Sequence, residues 1–159
     1  MYYLGSLLCV LFLLSGHVQA DIPLAHDLMP PKITDDSPAQ QQRVILLLVS
    51  QPDCIYCIQL SNDLLQPMQR NTGYTNRTRF LRIEINTQQQ FTDFDGNSIT
   101  ANAFAKRYAI SMTPSLLLLD PTGQQLSEPL IGYTTPELYG FYLDQALQQS
   151  WQQLESSDR

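Results

Sequence analysis

The fold is decided by one stretch of sequence, Val44-Ile45-Leu46-Leu47-Leu48-Val49-Ser50-Gln51-Pro52-Asp53-Cys54-Ile55-Tyr56-Cys57. Its first six residues form a continuous branched apolar run, which predicts a buried strand. The run breaks at the proline, because proline cannot donate a hydrogen bond to a sheet ladder. Two cysteines follow, and the apolar residues after them recur at helical spacing: Ile58, Leu60, Leu64 and Leu65. The sequence therefore predicts a strand, a short loop and a helix whose first turn carries a Cys-x-x-Cys pair.

The position of this cysteine pair predicts redox chemistry. Cys54 falls at the start of the helix, where unpaired N–H groups and a partial positive charge favour the thiolate. The thiolate is the species that attacks disulfides. Cys57 lies one turn further, close enough for a disulfide, so we assign Cys54 as the nucleophile and Cys57 as the buried resolving thiol. The carboxylate of Asp53 would oppose this activation if it faced Cys54, and we expect it to face solvent or help cap the helix.

The first 20 residues have the pattern of an export signal. The segment 4–14 is nearly all apolar, and Val18-Gln19-Ala20 suits cleavage before Asp21. The alternative is an uncleaved N-terminal anchor facing the periplasm, although the run is short for a spanning helix of about 20 residues. Cleavage would remove Cys9 and leave only the Cys54–Cys57 pair, which is not a disulfide framework.

Length and charge limit the remaining possibilities. The chain has 159 residues, enough for one domain with a core, and a formal net charge of −6. That charge argues against nucleic acid or an anionic membrane surface as a partner. We divide the chain into a signal peptide (1–20), an irregular proline-containing lead-in (21–39), a folded domain (40–150) and a C-terminal tail (151–159).

Within the domain, the pattern predicts strand, helix, strand, helix, strand, strand, helix. The predicted elements are strands over 43–49, 80–85, 115–119 and 125–131, a first helix from Cys54 that Pro67 kinks or ends, a second helix over about 101–108, and a last helix after Thr135. We expect a polar loop over 88–97 and an apolar stripe on the last helix formed by Leu138, Phe141, Tyr142, Ala146 and Leu147.

This order of elements predicts an α/β fold. Strands of the first half are joined through helices and are expected to be parallel, whereas the last two form an antiparallel hairpin. Helices then cover both faces of a central mixed sheet of four to five strands.

Two motifs in this order resemble the thioredoxin superfamily over about residues 40–150. They are Cys54-Ile55-Tyr56-Cys57 after a buried strand and Met112-Thr113-Pro114 before an apolar strand. The resemblance implies a cis Thr113–Pro114 bond packed beside Cys54. It also implies that Thr113, Pro114, Ile55 and Tyr56 contact substrate, with the Thr113 backbone pairing with an extended chain.

The closer match is similar to exported bacterial thioredoxin-like proteins, including the type associated with sulfur oxidation. It rests on Gln51 to Cys57, on 104–110 and on 119–123 together with Gly132-Tyr133. This resemblance implies a periplasmic monomer that acts on protein disulfides, receives electrons from a membrane thiol-transfer protein, and needs no cofactor or metal beyond its redox-active disulfide.

The chain also departs from the family pattern. Cytoplasmic thioredoxins carry a buried Asp six residues before the first cysteine, and Leu48 stands there in this chain. Tyr56 together with Thr113 is similar to periplasmic disulfide isomerases, but no separate dimerisation domain accompanies them. We therefore expect a reductase of protein or small-molecule disulfides rather than an isomerase.

Two other function classes remain open at this stage. A copper-handling metallochaperone would need few ligands, whereas a structural zinc site needs four and the mature chain offers only Cys54, Cys57 and His26. A non-catalytic thioredoxin-like binding module is the other alternative, and the intact cysteine pair argues against it.

Overall fold

The computed structural model describes residues 21–25 and 43–157, and the predicted signal peptide and most of the lead-in lie outside them. The described elements follow in the order β1 (Val44–Ser50), α1 (Ile55–Leu60), a π-helical segment (Ser61–Leu65), α2 (Gln66–Gln69), α3 (Thr72–Thr75), β2 (Thr78–Glu84), β3 (Gln90–Thr92), β4 (Ser98–Thr100), α4 (Ala101–Arg107), β5 (Ser115–Leu119), β6 (Leu130–Ile131) and α5 (Pro136–Ser157).

The central sheet is mixed, with strand order β2-β1-β5-β6. Strand β1 pairs in parallel with β2 and antiparallel with β5, and β5 pairs antiparallel with β6. Residues of the lead-in extend this sheet along the free edge of β2. There the N–H of Ala25 donates to the carbonyl of Arg82 at 2.7 Å, and the N–H of Arg82 donates to Pro23 at 2.9 Å. The predicted mixed sheet of four to five strands is confirmed.

Strand β1 is buried along its whole length because helices cover both of its faces. Val44, Leu46 and Leu48 belong to the core that also contains residues of α2 and α5. Ile45 and Val49 belong to the opposite core, which contains residues of α4 and the β3–β4 hairpin. This two-sided burial explains the continuous apolar run, since a strand with one solvated face would alternate.

The predicted polar loop over 88–97 is wrong in part, because the chain forms the antiparallel hairpin β3–β4 there. Phe91 enters the core, and the carboxylate of Asp93 is fully buried in the turn. It accepts hydrogen bonds from the N–H groups of Asp95 and Asn97. The predicted strand over 125–131 is also shorter than expected, since only Leu130–Ile131 pairs as a strand and Gln125 forms a single bridge.

The helix after the cysteines does not end at Pro67. It continues from α1 through the π-helical segment into α2, where Pro67 occupies the first turn. Proline has no N–H to donate, but the π-helical segment before it already interrupts the regular hydrogen-bond pattern of the helix. The helical path therefore reaches Gln69 before it stops.

The predicted apolar stripe of α5 is confirmed at Leu147 and at the half-buried Ala146 but is wrong at its other three positions, and the helix continues past the predicted start of the tail at residue 151. Leu138, Phe141 and Tyr142 are exposed, and the residues that pack against the sheet are spaced by four: Tyr139, Leu143, Leu147 and Trp151. The helix continues to Ser157. The indole N–H of Trp151 donates to the hydroxyl of Thr78 at 3.1 Å, so residue 151 belongs to the packed domain.

Candidate active site

The two predicted redox cysteines are joined by a disulfide at the start of α1. Their sulfur atoms are 2.09 Å apart and their Cα atoms 5.2 Å apart. Cys54 is the N-cap residue, and its sulfur accepts a hydrogen bond from the N–H of Cys57 at 3.2 Å. Only 8% of Cys54 and 5% of Cys57 are exposed. The structure is thus the oxidised form, with the first sulfur held among the unpaired N–H groups of the helix start.

The loop that precedes β5 lies at the same end of the sheet and covers this disulfide. The Thr113–Pro114 peptide bond is cis. The hydroxyl of Thr113 lies 3.6 Å from the sulfur of Cys54 and donates to it. The register of the sheet accounts for this contact, because Val49 at the end of β1 pairs with Ser115 at the start of β5. The loop is held from behind by the N–H of Gly132, which donates to the carbonyl of Pro114 at 2.8 Å.

Asp53 is exposed and does not cap the helix, since Cys54 occupies the N-cap position. Its φ of 57° places it in the left-handed region, which Asp tolerates better than most residues. Of the two roles expected for Asp53, the solvent-facing one agrees with the structure.

Four large apolar side chains around the disulfide are exposed, and we call them the apolar collar. They are Ile55 (67% exposed), Tyr56 (56%), Ile58 (56%) and Met112 (58%). Ile55 and Tyr56 were predicted at the site from the motif. Ile58 and Met112 were missed, because Ile58 shares the helical spacing of core residues and Met112 carries no signal except its place before Thr113. Exposed apolar groups clustered in this way are typical of a protein interaction site.

A cavity of about 450 Å³ adjoins the disulfide, and neither Thr113 nor Pro114 lines it. Its wall includes Cys57, Leu48 and Ser61 from β1 and the helix, and Arg82 and Glu84 from β2. Leu48, the residue six positions before Cys54, is fully buried in this wall. Sequence reasoning missed Arg82 and Glu84, since only the parallel register places them opposite Leu48 and Ser50.

One tyrosine ties the helix of the site to the loop after β6. Burial and then the neighbouring Asp63 carboxylate raise the pKa of Tyr133 above its ordinary value. The phenol therefore stays protonated and donates to Asp63 at 3.4 Å. This contact holds the π-helical segment against the loop that supports Pro114.

The described residues contain neither a candidate metal site nor a candidate membrane-spanning helix. Within 21–25 and 43–157, no group of three or more His, Cys, Asp or Glu side chains could hold a metal ion, and His26 lies outside these ranges. Across the same part of the chain, no helix has both the length and the apolar character needed to cross a membrane.

A comparison with protein-family models decides the family. The model described as a thioredoxin-like domain matches residues 31–147, well over half of the chain. The chain belongs to the thioredoxin-like domain family. The family and the Cys54–Cys57 disulfide at the helix start together make this protein a thiol–disulfide oxidoreductase.

Solved structures of other thioredoxin-fold proteins are similar in fold. A thioredoxin-fold protein from Helicobacter pylori is 17% identical, with 84% of this chain and 89% of that chain covered and a TM-score of 0.53. Thioredoxin f from spinach chloroplast is 14% identical, with 82% and 96% covered and a TM-score of 0.48. Poplar thioredoxin h is 23% identical, with 65% and 76% covered and a TM-score of 0.43. A search of curated protein sequences found no significant match.

Proposed function

We propose that this thioredoxin-like protein reduces disulfides of extended or unfolded protein substrates after export to the periplasm. The observation that carries the proposal is the surface around Cys54. Its sulfur lies at a helix N-cap, under the Thr113 hydroxyl, and the four exposed residues of the apolar collar surround it. A cystine flanked by apolar residues could bury those residues on the collar while its sulfur approaches Cys54.

The reaction follows from the positions of the two sulfurs. The Cys54 thiolate attacks one sulfur of the substrate disulfide, a mixed disulfide forms and the other substrate sulfur leaves as a thiolate. The Cys57 thiolate then attacks the Cys54 sulfur, the Cys54–Cys57 disulfide forms and the second substrate sulfur leaves. Two electrons pass from the dithiol to the substrate, so the product is the oxidised form described above.

Two partners complete the cycle. A substrate segment would lie along Thr113 in the manner of an added strand, with Ile55 and Tyr56 on its other side. A membrane thiol-transfer protein with a dithiol of its own would return two electrons to the Cys54–Cys57 disulfide. We propose that the protein works as a monomer and needs no metal or cofactor for this exchange.

Export is the part of the proposal supported by sequence alone. The apolar segment 4–14 and Val18-Gln19-Ala20 motivate cleavage after Ala20. Mass spectrometry of the protein recovered from the periplasm should give a chain that begins at Asp21. A chain that retains Met1 in the membrane fraction would replace this part of the proposal with an anchored form.

The catalytic part is tested by disulfide reduction and isomerisation side by side. The purified protein should accelerate insulin reduction by dithiothreitol and should contribute little to the recovery of scrambled ribonuclease. A Cys54→Ser variant should lose the insulin activity completely. Rapid recovery of scrambled ribonuclease would make isomerisation the function. Tight binding of one copper ion without insulin reduction would make the protein a metal carrier instead.

A further inference from the structure

The cavity beside Cys57 contains a buried polar group without a protein partner. Ser61 is 7% exposed, and no hydrogen-bond partner for its hydroxyl oxygen exists among the described residues. It lies one helical turn after Cys57, and its N–H donates to the Cys57 carbonyl. Buried hydroxyls are nearly always hydrogen-bonded, so an unpaired one that lines a polar cavity indicates a partner within the cavity.

The second step of the exchange requires a proton acceptor near Cys57. Cys57 is buried and attacks only as a thiolate, so its proton must leave during the second step. Leu48 lines the same cavity as Cys57, and it has no group that accepts a proton. No acidic residue lies in the first turn of α1 either. The acceptor must therefore come from another element of the cavity wall.

We propose that Glu84 accepts the proton of Cys57 through water held in the cavity, and that the Ser61 hydroxyl positions the Cys57 sulfur and this water. The inference rests on the thiol–disulfide exchange proposed above. A polar cavity of about 450 Å³ has room for several waters at roughly 30 Å³ each. Both residues lie on its wall together with Cys57.

Glu84 fits this role better than the other charged groups of the cavity, which are Asp21, Asp53 and Arg82. The side chain of Asp21 is 58% exposed and that of Glu84 only 29%. Asp53 is also exposed. Glu84 is further held in place, because its N–H donates to the side-chain oxygen of Gln89 at 2.6 Å and its carboxylate lies 3.6 Å from Arg82.

The resolving step balances in protons, bonds and electrons. Glu84 takes the proton from the Cys57 thiol, the Cys57 sulfur bonds to the Cys54 sulfur, and the bond from Cys54 to the substrate sulfur breaks. The departing substrate thiolate takes a proton from solvent, and Glu84 returns its proton to the cavity water. The electrons follow the path described for the exchange, so no further reductant is required.

Single-turnover reaction of the reduced full chain with Ellman's reagent separates the two steps. The first thionitrobenzoate is released when Cys54 attacks, and the second when Cys57 resolves the mixed disulfide. In Glu84→Gln the second release should slow by about a hundredfold or more at about pH 6, the low end for a positioned acid–base group. The first release should stay within about twofold of the wild type, because Glu84 acts only on Cys57.

The pH profile distinguishes proton transfer from a structural effect. Without its acceptor, the second step depends on the thiolate fraction and should rise about tenfold per pH unit. The deficit should disappear above about pH 8.5, the ordinary pKa of a cysteine thiol. Glu84→Asp should recover part of the rate, and Ser61→Ala should slow the second step independently. Glu128→Gln removes an exposed carboxylate outside the cavity and is the matched control.

The outcomes separate this inference from the proposed function. A wild-type protein that releases no second thionitrobenzoate would contradict the exchange itself. A wild type with both releases and a Glu84→Gln variant with an unchanged second release and pH profile would overturn the inference alone. A normal second release in Ser61→Ala, alongside a slow one in Glu84→Gln, would overturn the role of Ser61.

Discussion

The Thr113 hydroxyl should tune the reactivity of Cys54. The hydroxyl oxygen of Thr113 lies 3.6 Å from the Cys54 sulfur, which is a long contact even for sulfur. A Thr113→Val substitution removes this donor and keeps the branched shape. A hydrogen bond contributes about 0.5–1.5 kcal/mol, and the length of this one justifies that range rather than the larger one for charged acceptors. The donor favours the anionic thiolate over the disulfide sulfur, so its loss destabilises the reduced form.

The expected shifts follow from that range. The reduction potential of the variant should become more negative by about 10–30 mV, since 30 mV corresponds to about 1.4 kcal/mol. Alkylation of reduced Cys54 by iodoacetamide at neutral pH should slow by about two- to twelvefold. Equilibration with glutathione gives the first quantity and timed mass spectrometry the second. Thr72→Val, an exposed threonine on α3, is the control. A potential that stays unchanged or rises would refute the role given to this hydroxyl.

Two further predictions concern stability. Burial acts to raise the pKa of Asp93, but its bonds from two backbone N–H groups and Arg107 outweigh burial and hold the pKa below its ordinary value. Asp93→Asn should therefore cost about 1–3 kcal/mol in urea unfolding at neutral pH. This difference should be present above about pH 3.9 and shrink as pH falls through the folded value; a constant difference would contradict it. Trp151→Ala should cost about 3–5 kcal/mol, because its ring is buried under the Arg77 guanidinium, 4.3 Å from the ring centroid. If Trp151→Ala lowers the free energy of unfolding by less than about 1 kcal/mol, the prediction of a C-terminal tail over 151–159 would be the better description.

The parts of the fold that local sequence determines were predicted correctly. The strand over Val44–Ser50 and the helix start at Cys54 follow from a run of branched residues broken by a proline. The position of the Thr113-Pro114 motif beside Cys54 came from the family resemblance, and the pairing of β1 with β5 accounts for it. Each of these predictions depends on residues close together in the chain and on one sheet pairing.

The parts that depend on long-range packing were not predictable in the same way. The start of α5 has apolar residues on two faces, and only the sheet decides that Tyr139 and Leu143 are buried while Phe141 is exposed. The β3–β4 hairpin lies in a polar stretch, and its turn depends on the buried carboxylate of Asp93. No local sequence pattern marks Glu84 as a site residue, because only the parallel register of β1 and β2 brings it to the cavity beside Cys57.

The central claim is that Cys54 attacks the substrate and Cys57 resolves the mixed disulfide. Removal of the resolving thiol should leave the mixed disulfide intact, whereas removal of the nucleophile should prevent it. The most direct measurement is mass spectrometry, under non-reducing conditions, of Cys57→Ser and Cys54→Ser proteins incubated with a disulfide-containing substrate. The account predicts a stable adduct on Cys54 in the Cys57→Ser protein and none in the Cys54→Ser protein. An adduct that accumulates on Cys57 in the Cys54→Ser protein, with none in the other, would contradict the account.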